Sequence, residues 1–389
     1  MVVPVILSLD KTNLTSFSGN KQAYPVYIGI GTKNHQIRCQ PSSHVMLLIG
    51  YIPVSKLECF SAKKQSIAGF QLFHNCMQTI VKPLVEAGKN GVRMNCADGF
   101  VHMAYPILAA YVANYPEQCL VTCCKENSCP KCTVTPKQCG DSVHSILRDP
   151  DKTLQTLAAQ SRGHEPTEFV QHSLCPINPF WKDLPHCNIF ACITPGILHQ
   201  LHNGVFKDHI VSWASEAMGG GHQDEIDRHF CAMTPHTTLW HFEKGISLTS
   251  QWTGMELKNM EKVFLGVLAN TTDPKVVRAV RGILDFIYYA HFEVHTDESL
   301  AHLDTAWVTF HENKEIFEEL EIRTHFNISK LHNIKHYVDL IRTLGAAAGF
   351  STEATNDETR TPLGAAHNKN PNQAVLEKGE STRYGRWWL

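Results

Sequence analysis

The chain has 389 residues, of which 43% are hydrophobic and 19% charged, with a formal net charge of −2. That is an ordinary balance for one large folded domain or two smaller ones, and it excludes the strongly basic footprint of a typical nucleic-acid binder. No apolar run reaches the ~18 residues of a membrane helix, and no basic-then-apolar leader opens the chain, so neither a membrane span nor a secretory signal is expected.

Val2–Leu9 reads as a strand and Ala23–Ile30 as a second. Val45–Ile52 reads as a third, and its unbroken apolar character predicts burial on both faces. Gly69–Ala87 spaces apolar residues as a helix does, with Pro83 as a kink. The stretch GVRMNCADGF reads as strand four, ending at Asp98-Gly99, and Val101–Val112 follows as an apolar helix. This order predicts an α/β fold in which an antiparallel meander is extended by parallel pairing. A strand that starts at residue 2 also suggests a chain cut from a longer protein.

The character changes at Cys119. Residues 119–139 are cysteine-rich, and residues 140–190 are polar and irregular, with a weak helical signal at Thr153–Ala159. From Ile193 to about Arg323 the pattern is mostly helical, with the clearest periods in MELKNMEKVFLGVLA and VVRAVRGILDFIYYAHF. Leu331–Leu344 is another amphipathic helix. There is no internal repeat and no heptad run. Residues 354–389 have no sustained period and too few apolar residues to offset ordering entropy, so a disordered tail is expected.

Two expected strands each end in an acid, Asp10 after VILSL and Asp98 after RMNCA. Strand ends are where α/β sheets present ligand-binding groups. Paired carboxylates repel unless they share a cation, and two metals ~3.5–4 Å apart can stabilise both oxygens of a phosphoryl displacement. The competing reading is that both are turn residues, since Asp-Gly is a common turn pair and Asp10 can cap a turn.

The 14 cysteines do not form a small secreted disulfide framework. Cys96, Cys192 and Cys231 sit singly in apolar runs, as free thiols do, which favours a reducing compartment. CCKENSCPKC contains Cys129-Pro-Lys-Cys132, a spacing at which two thiolates reach one zinc. LHQLH supplies His199 and His202, three apart on one helix face, and these four would make a closed Cys2His2 site. A redox pair is the rival for the CxxC, without a thioredoxin-like βαβ context around it. Cys123, Cys124 or Cys139 could replace a histidine. Trp252, in QWTGMELKNMEK, reads as an aromatic anchor at a helix start, with packing favoured over base stacking.

Three long strings then match a family in order. LDKTNLTSFSGNKQAYPVYIGIG, CADGFVHMAYPILAAYVANYPEQCLVTCCKENSCPKC and TPGILHQLHNGVFKDHIVSWA resemble the Plavaka-type DNA transposases of fungi, relatives of the CACTA and Kyakuja–Dileera–Zisupton groups. The resemblance runs from about residue 2 to residue 353. It implies an RNase H-like mixed sheet with a large, mainly helical insertion. The implied division is 1–118 for the first part of the core, 119–322 for the Cys/His-bearing insertion, 323–353 for the last core helices and 354–389 for the divergent tail. It implies an Asp–Asp–Glu set, with Asp10 and Asp98 as the first two acids and Glu353, in GFSTEATNDETRT, as the third; Glu358 is the second candidate. The competing reading of Glu353 is a solvated residue at a helix start, where its charge suits the dipole. Mg²⁺ or Mn²⁺ at these acids would serve cleavage of transposon ends and strand transfer, and Zn²⁺ would be structural.

The resemblance also supports zinc, because relatives carry the CxxC followed by Asp-x-x-His, with Gly196 at the Asp position here. His102 stands where relatives show a basic residue, and a surface helix position is the favoured reading. Partners would be transposon-end and target DNA and a second copy in a homodimer, with no membrane, in the nucleus. The match ends at Glu353, where relatives continue with Glu-Arg-Leu-His, and full-length members carry N-terminal sequence. The chain as written is therefore expected not to transpose DNA, and the rival function is a non-catalytic remnant serving as a DNA- or protein-interaction module.

Overall fold

The computed structural model describes residues 1–9, 11–13, 22–32, 45–96, 98–143, 145–220, 222–249 and 252–350. Asp10, Glu353 and Glu358 lie outside them, as does the tail.

Strand β1 is Val2–Leu9, and its buried half, Val5 to Leu9, is the middle of the sheet. Short β2 (Thr12–Asn13) and β3 (Gln22–Ala23) pair only with each other. The second expected strand is thus broken at Tyr24, and its main part is β4, Pro25–Ile30. β4 runs antiparallel to β1, with Leu9 opposite Val26. β5, Leu47–Tyr51, pairs antiparallel with β4. The burial expected for this third strand is not found. β5 ends the sheet, and Leu47, Leu48 and Tyr51 are exposed. An apolar run alone does not distinguish a central strand from an edge.

Helix α1 spans Ala62–Asn90 and contains Pro83, starting seven residues earlier than its apolar period suggests. β6 (Val92–Asn95) and β7 (Val101–Ala113) then form a hairpin, with Asn95 opposite Val101. The helix expected at Val101–Val112 is therefore a strand. An unbroken apolar run fits a buried parallel strand as well as a helix, and neighbours decide between them. β7 lies parallel to β1, from Val2 beside Tyr105 to Ser8 beside Val112. Pro106 is tolerated in it for a local reason. Tyr105 donates its N–H to Met1 O on the β1 side, so the next nitrogen faces the other edge. There β6 has stopped at Ala104 and β8 starts only at Tyr111, so no ladder bond is lost.

Helix α2 is Tyr115–Val121 and α3 is Pro150–Ser161, near the weak signal expected there. β8, Ile193–Pro195, pairs parallel with the end of β7. The strand order is β5-β4-β1-β7-β6, with β8 also on β7. The antiparallel meander of β1, β4 and β5 is the one the sequence predicts, but the parallel pairing to β1 is made by Val101–Ala113 and not by the stretch expected as strand four.

A π-helix at Leu198–Val211 leads into α4 (Ser212–Glu216) and α5 (His222–Ala232). α6 (Gly254–Leu268) and α7 (Pro274–Ala290) match the two strongest helical periods, and α8 (Asp297–Asn313) follows them. α9 (Ser329–Asn333), a 3-10 turn at Ile334–His336 and α10 (Tyr337–Leu344) replace the single late helix.

The sheet has a core on each face. Leu9, Tyr111 and Ala113 join Phe73, Met77 and Val81 of α1. Ile6, Ala110 and Val112 join the helices, including Phe206, Phe264 and Ile283. Alternation along the strands sorts these side chains to opposite faces.

Candidate metal centre

The Cys129–Cys132 knuckle is buried and closed upon itself. Lys131 N donates to Cys129 Sγ at 3.4 Å, and Arg148 Nε donates to Cys129 O at 3.0 Å. The Lys131 ammonium, 3% exposed, donates to Phe190 O and Ile193 O, both at 2.8 Å. Burial pushes this lysine down to about 8, and the Cys129 thiol opposes the shift. The knuckle is thereby fastened to the start of β8.

Two histidines from the far end of the chain complete the group. His332 Nε2 lies 3.2 Å from Cys132 Sγ, and His336 Nε2 lies 3.3 Å from Cys129 Sγ. All four side chains are buried, and their ligand atoms lie within 4.8 Å of one another. Arms of ~2.3 Å to sulfur and ~2.0 Å to nitrogen set tetrahedral S···N separations near ~3.5 Å, so the spacing suits zinc. A hydrogen bond with Cys129, then those with His332 and His336, draw the Cys132 thiol far down despite its burial. Burial lowers His336, which keeps its imidazole neutral. A Cys2His2 metal site binds thiolates and neutral imidazoles, so the lowered Cys132 and His336 suit it.

The supporting contacts run to the sheet. Ser329 Oγ donates to Glu126 O at 2.8 Å, and Asn333 Nδ2 donates to Gln118 Oε1 at 3.4 Å. Gln118 Nε2 in turn donates to Ala113 O at 2.8 Å, at the end of β7. The last helices are thus joined to the sheet through the cluster and through α2.

The expected histidines are elsewhere, and this corrects the Cys129, Cys132, His199, His202 set. His202 Nδ1 faces Glu261 Oε1 at 2.7 Å, and its Nε2 faces His291 Nε2 at 2.8 Å. His199 Nε2 is buried with no hydrogen-bond partner among the described residues. Of the alternative cysteines, Cys139 packs beside the knuckle, with its thiol on Thr135 O. Cys123 lies 3.8 Å from His74 Nε2, and Cys124 faces the Thr122 hydroxyl. None of the three belongs to the four-residue group. The missed signal was LHNIKH, a His-x3-His spacing of the kind that completes CxxC zinc sites, hidden by about 200 intervening residues.

Asp98 is not brought to the C-terminal end of β1. It sits in the exposed turn between β6 and β7, where its carboxylate accepts from Phe100 N at 2.9 Å and meets His102 Nε2 at 2.7 Å. The Phe100 amide first, and His102 second, hold this carboxyl below its ordinary value. His102 is accordingly a strand residue, not a helix residue. The parallel register puts Ser8 beside Val112, at the other end of β7. Roughly 40 Å of strand separates the two ends, far more than a metal pair ~4 Å apart can bridge. The residue after β7 at the Leu9 end is Asn114, whose Oδ1 accepts from Glu117 N at 3.1 Å and caps α2.

A family model described as Plavaka transposase matches residues 1–214, more than half of the 389. No curated protein matches the chain.

Proposed function

The chain belongs to the Plavaka transposase family, and from that premise we propose that it is a DNA-handling core of RNase H-like type, fastened by a structural zinc ion and incomplete as a phosphodiester-cutting site. The observation that carries this reading is the closed Cys129, Cys132, His332, His336 set, which joins the cysteine-rich segment to the last helices. Two thiolates and two imidazoles leave zinc no open position, so its contribution is folding energy. The sheet order and the helices on its second face support the RNase H-like assignment with a helical insertion over 119–322.

DNA as a partner fits the way charge is divided along the sequence. Residues 1–118 hold ten Lys and Arg against five Asp and Glu, although the whole chain is slightly acidic. Phosphate neutralisation by such residues supplies most non-specific DNA affinity.

Asp10 and Glu353 keep their proposed places as metal-holding acids. Mg²⁺ there would neutralise charge on a phosphodiester. The second acid is missing from this reading. Asn114, an amide, stands at the Leu9 end of β7, and Glu117 is buried and accepts the Tyr111 hydroxyl at 3.0 Å. A non-cleaving DNA-binding remnant is therefore favoured over an active transposase. The test is a Mg²⁺-dependent cleavage and strand-transfer assay on DNA bearing the element's ends, beside a binding assay on the same DNA. Binding without cleavage is expected. Cleavage that disappears in Asp10→Ala would overturn the inactive reading.

A further inference from the structure

A cavity of about 290 Å³ opens in the helical part, between the π-helix with α4 and the starts of α5 and α6. Its walls include the apolar Ile226 and Met260, the polar Lys207, Glu216 and Gln223, and the half-buried Trp252. It lies at the small end of ligand pockets, which run from ~300 to ~1,000 Å³. That is room for one planar ring system rather than a large cofactor.

Trp252 is held more firmly than a surface indole. The next residue, Thr253, caps α6 with a reciprocal box: Glu256 N donates to Thr253 Oγ1 at 3.2 Å, and Glu256 Oε2 accepts from Thr253 N at 2.8 Å. Behind the indole stands Phe242 at 6.2 Å between centroids, then Phe230 at 5.1 Å from Phe242. Phe264 follows at 6.5 Å from Phe230, and Phe206 at 5.3 Å from Phe264. Trp252 is the cavity end of an aromatic column rooted in the core. In the same lining, Gln223 offers a donor and an acceptor, and Glu216 offers an acceptor that already holds the Ser212 hydroxyl at 2.9 Å. Lys207 has no carboxylate partner among the described residues.

A fixed aromatic face, polar side chains carrying both hydrogen-bond senses and the Lys207 ammonium match a planar heterocycle joined to an anion. We propose that this cavity takes one unpaired nucleobase of a DNA strand. The base stacks on Trp252, its edge meets Gln223 and Glu216, and Lys207 faces the adjoining phosphate. Enzymes that hold an extruded base use the same combination of stacking and edge contacts, and the cost of extrusion is lowest for a base already unpaired. The inference rests on the DNA-handling reading above and names a subsite within it.

The test uses the full chain and two duplexes of one sequence, fully paired and with a single bulged adenine, titrated by fluorescence anisotropy. The bulged duplex is expected to bind about tenfold tighter, since stacking of one base is worth ~1–3 kcal/mol. Trp252→Ala should abolish that preference and leave affinity for the paired duplex unchanged, while Trp252→Phe should retain part of it. Should Trp252→Ala lose its circular-dichroism spectrum, Gln223→Leu, at an exposed position on α5, carries the same expectation. Equal binding of the two duplexes, or a preference unmoved by these variants, overturns this inference and leaves the DNA reading standing. Binding of neither duplex overturns both. Free deoxyadenosine monophosphate that competes as well as bulged DNA would make this a mononucleotide site and overturn the assignment to a strand.

Discussion

Cys132 Sγ and His332 Nε2 are 3.2 Å apart across 200 residues of sequence. With Cys129 and His336 they turn a chain of two characters, an α/β sheet and a helical array, into one closed structure. The zinc prediction is direct. The purified chain should carry about one zinc, and Cys132→Ser or His332→Ala should lose it. His199→Ala and His202→Ala should keep it. Metal analysis of the four variants checks this, and zinc lost from His202→Ala but kept by His332→Ala would reverse the assignment.

His74 sets an acid limit on stability. It is buried, its Nε2 donates to Leu120 O at 3.0 Å and its Nδ1 accepts from Phe180 N at 3.2 Å. Burial pushes its pKa down from 6.5 to about 4, partly opposed by the Leu120 bond. A lowered imidazole favours the neutral form in the native state. Its stability is therefore complete above pH 6.5 and is lost as pH falls toward 4, by roughly 3 kcal/mol in all. Denaturant melts across this range should be flatter in His74→Gln than in the parent chain. Parallel pH profiles would exclude His74 as a contributor.

Gly282 lets α7 pack closely on the backbone of α8. A Cβ added there would lie 2.7 Å from Phe310 N and 2.9 Å from Ala306 O, both backbone atoms that cannot swing aside. Gly282→Ala should destabilise the protein by ~1–3 kcal/mol despite alanine's better helix propensity. Thermal melts of the variant decide it, and an unchanged or higher midpoint would contradict this packing.

Asp98→Ala should leave zinc content, thermal midpoint and DNA affinity unchanged. Among the described residues its carboxylate pairs with Phe100 N and His102 in an exposed turn, and exposed pairs of this kind contribute little. A loss of any DNA-processing activity in this variant would restore Asp98 to the catalytic set.

Much of this was legible in the sequence where periodicity was strong. Val2–Leu9, α6 and α7 follow from apolar spacing, and the CxxC announced a metal-binding knuckle. Val101–Ala113 was not legible, because an apolar run with a proline has no period of its own. Its parallel pairing with β1 is a tertiary fact. That misreading had a consequence: with Val101–Val112 taken as a helix, Asp98 reads as the end of a strand, whereas it lies in the turn of the β6–β7 hairpin. The histidine ligands failed for a different reason. His199 and His202 lay nearer in sequence to the knuckle and shared a helix face, but the fold spends His202 on Glu261 and His291. Only three-dimensional closure brings His332 and His336 to Cys129 and Cys132.

The central claim is that zinc closes this chain through two sulfurs and two imidazole nitrogens. X-ray absorption at the zinc edge of the purified full chain measures that shell directly. The account predicts two sulfurs at ~2.3 Å and two nitrogens at ~2.0 Å with imidazole outer-shell scattering. A shell of four sulfurs, which would recruit cysteines such as Cys139, or of nitrogen and oxygen alone, would contradict it.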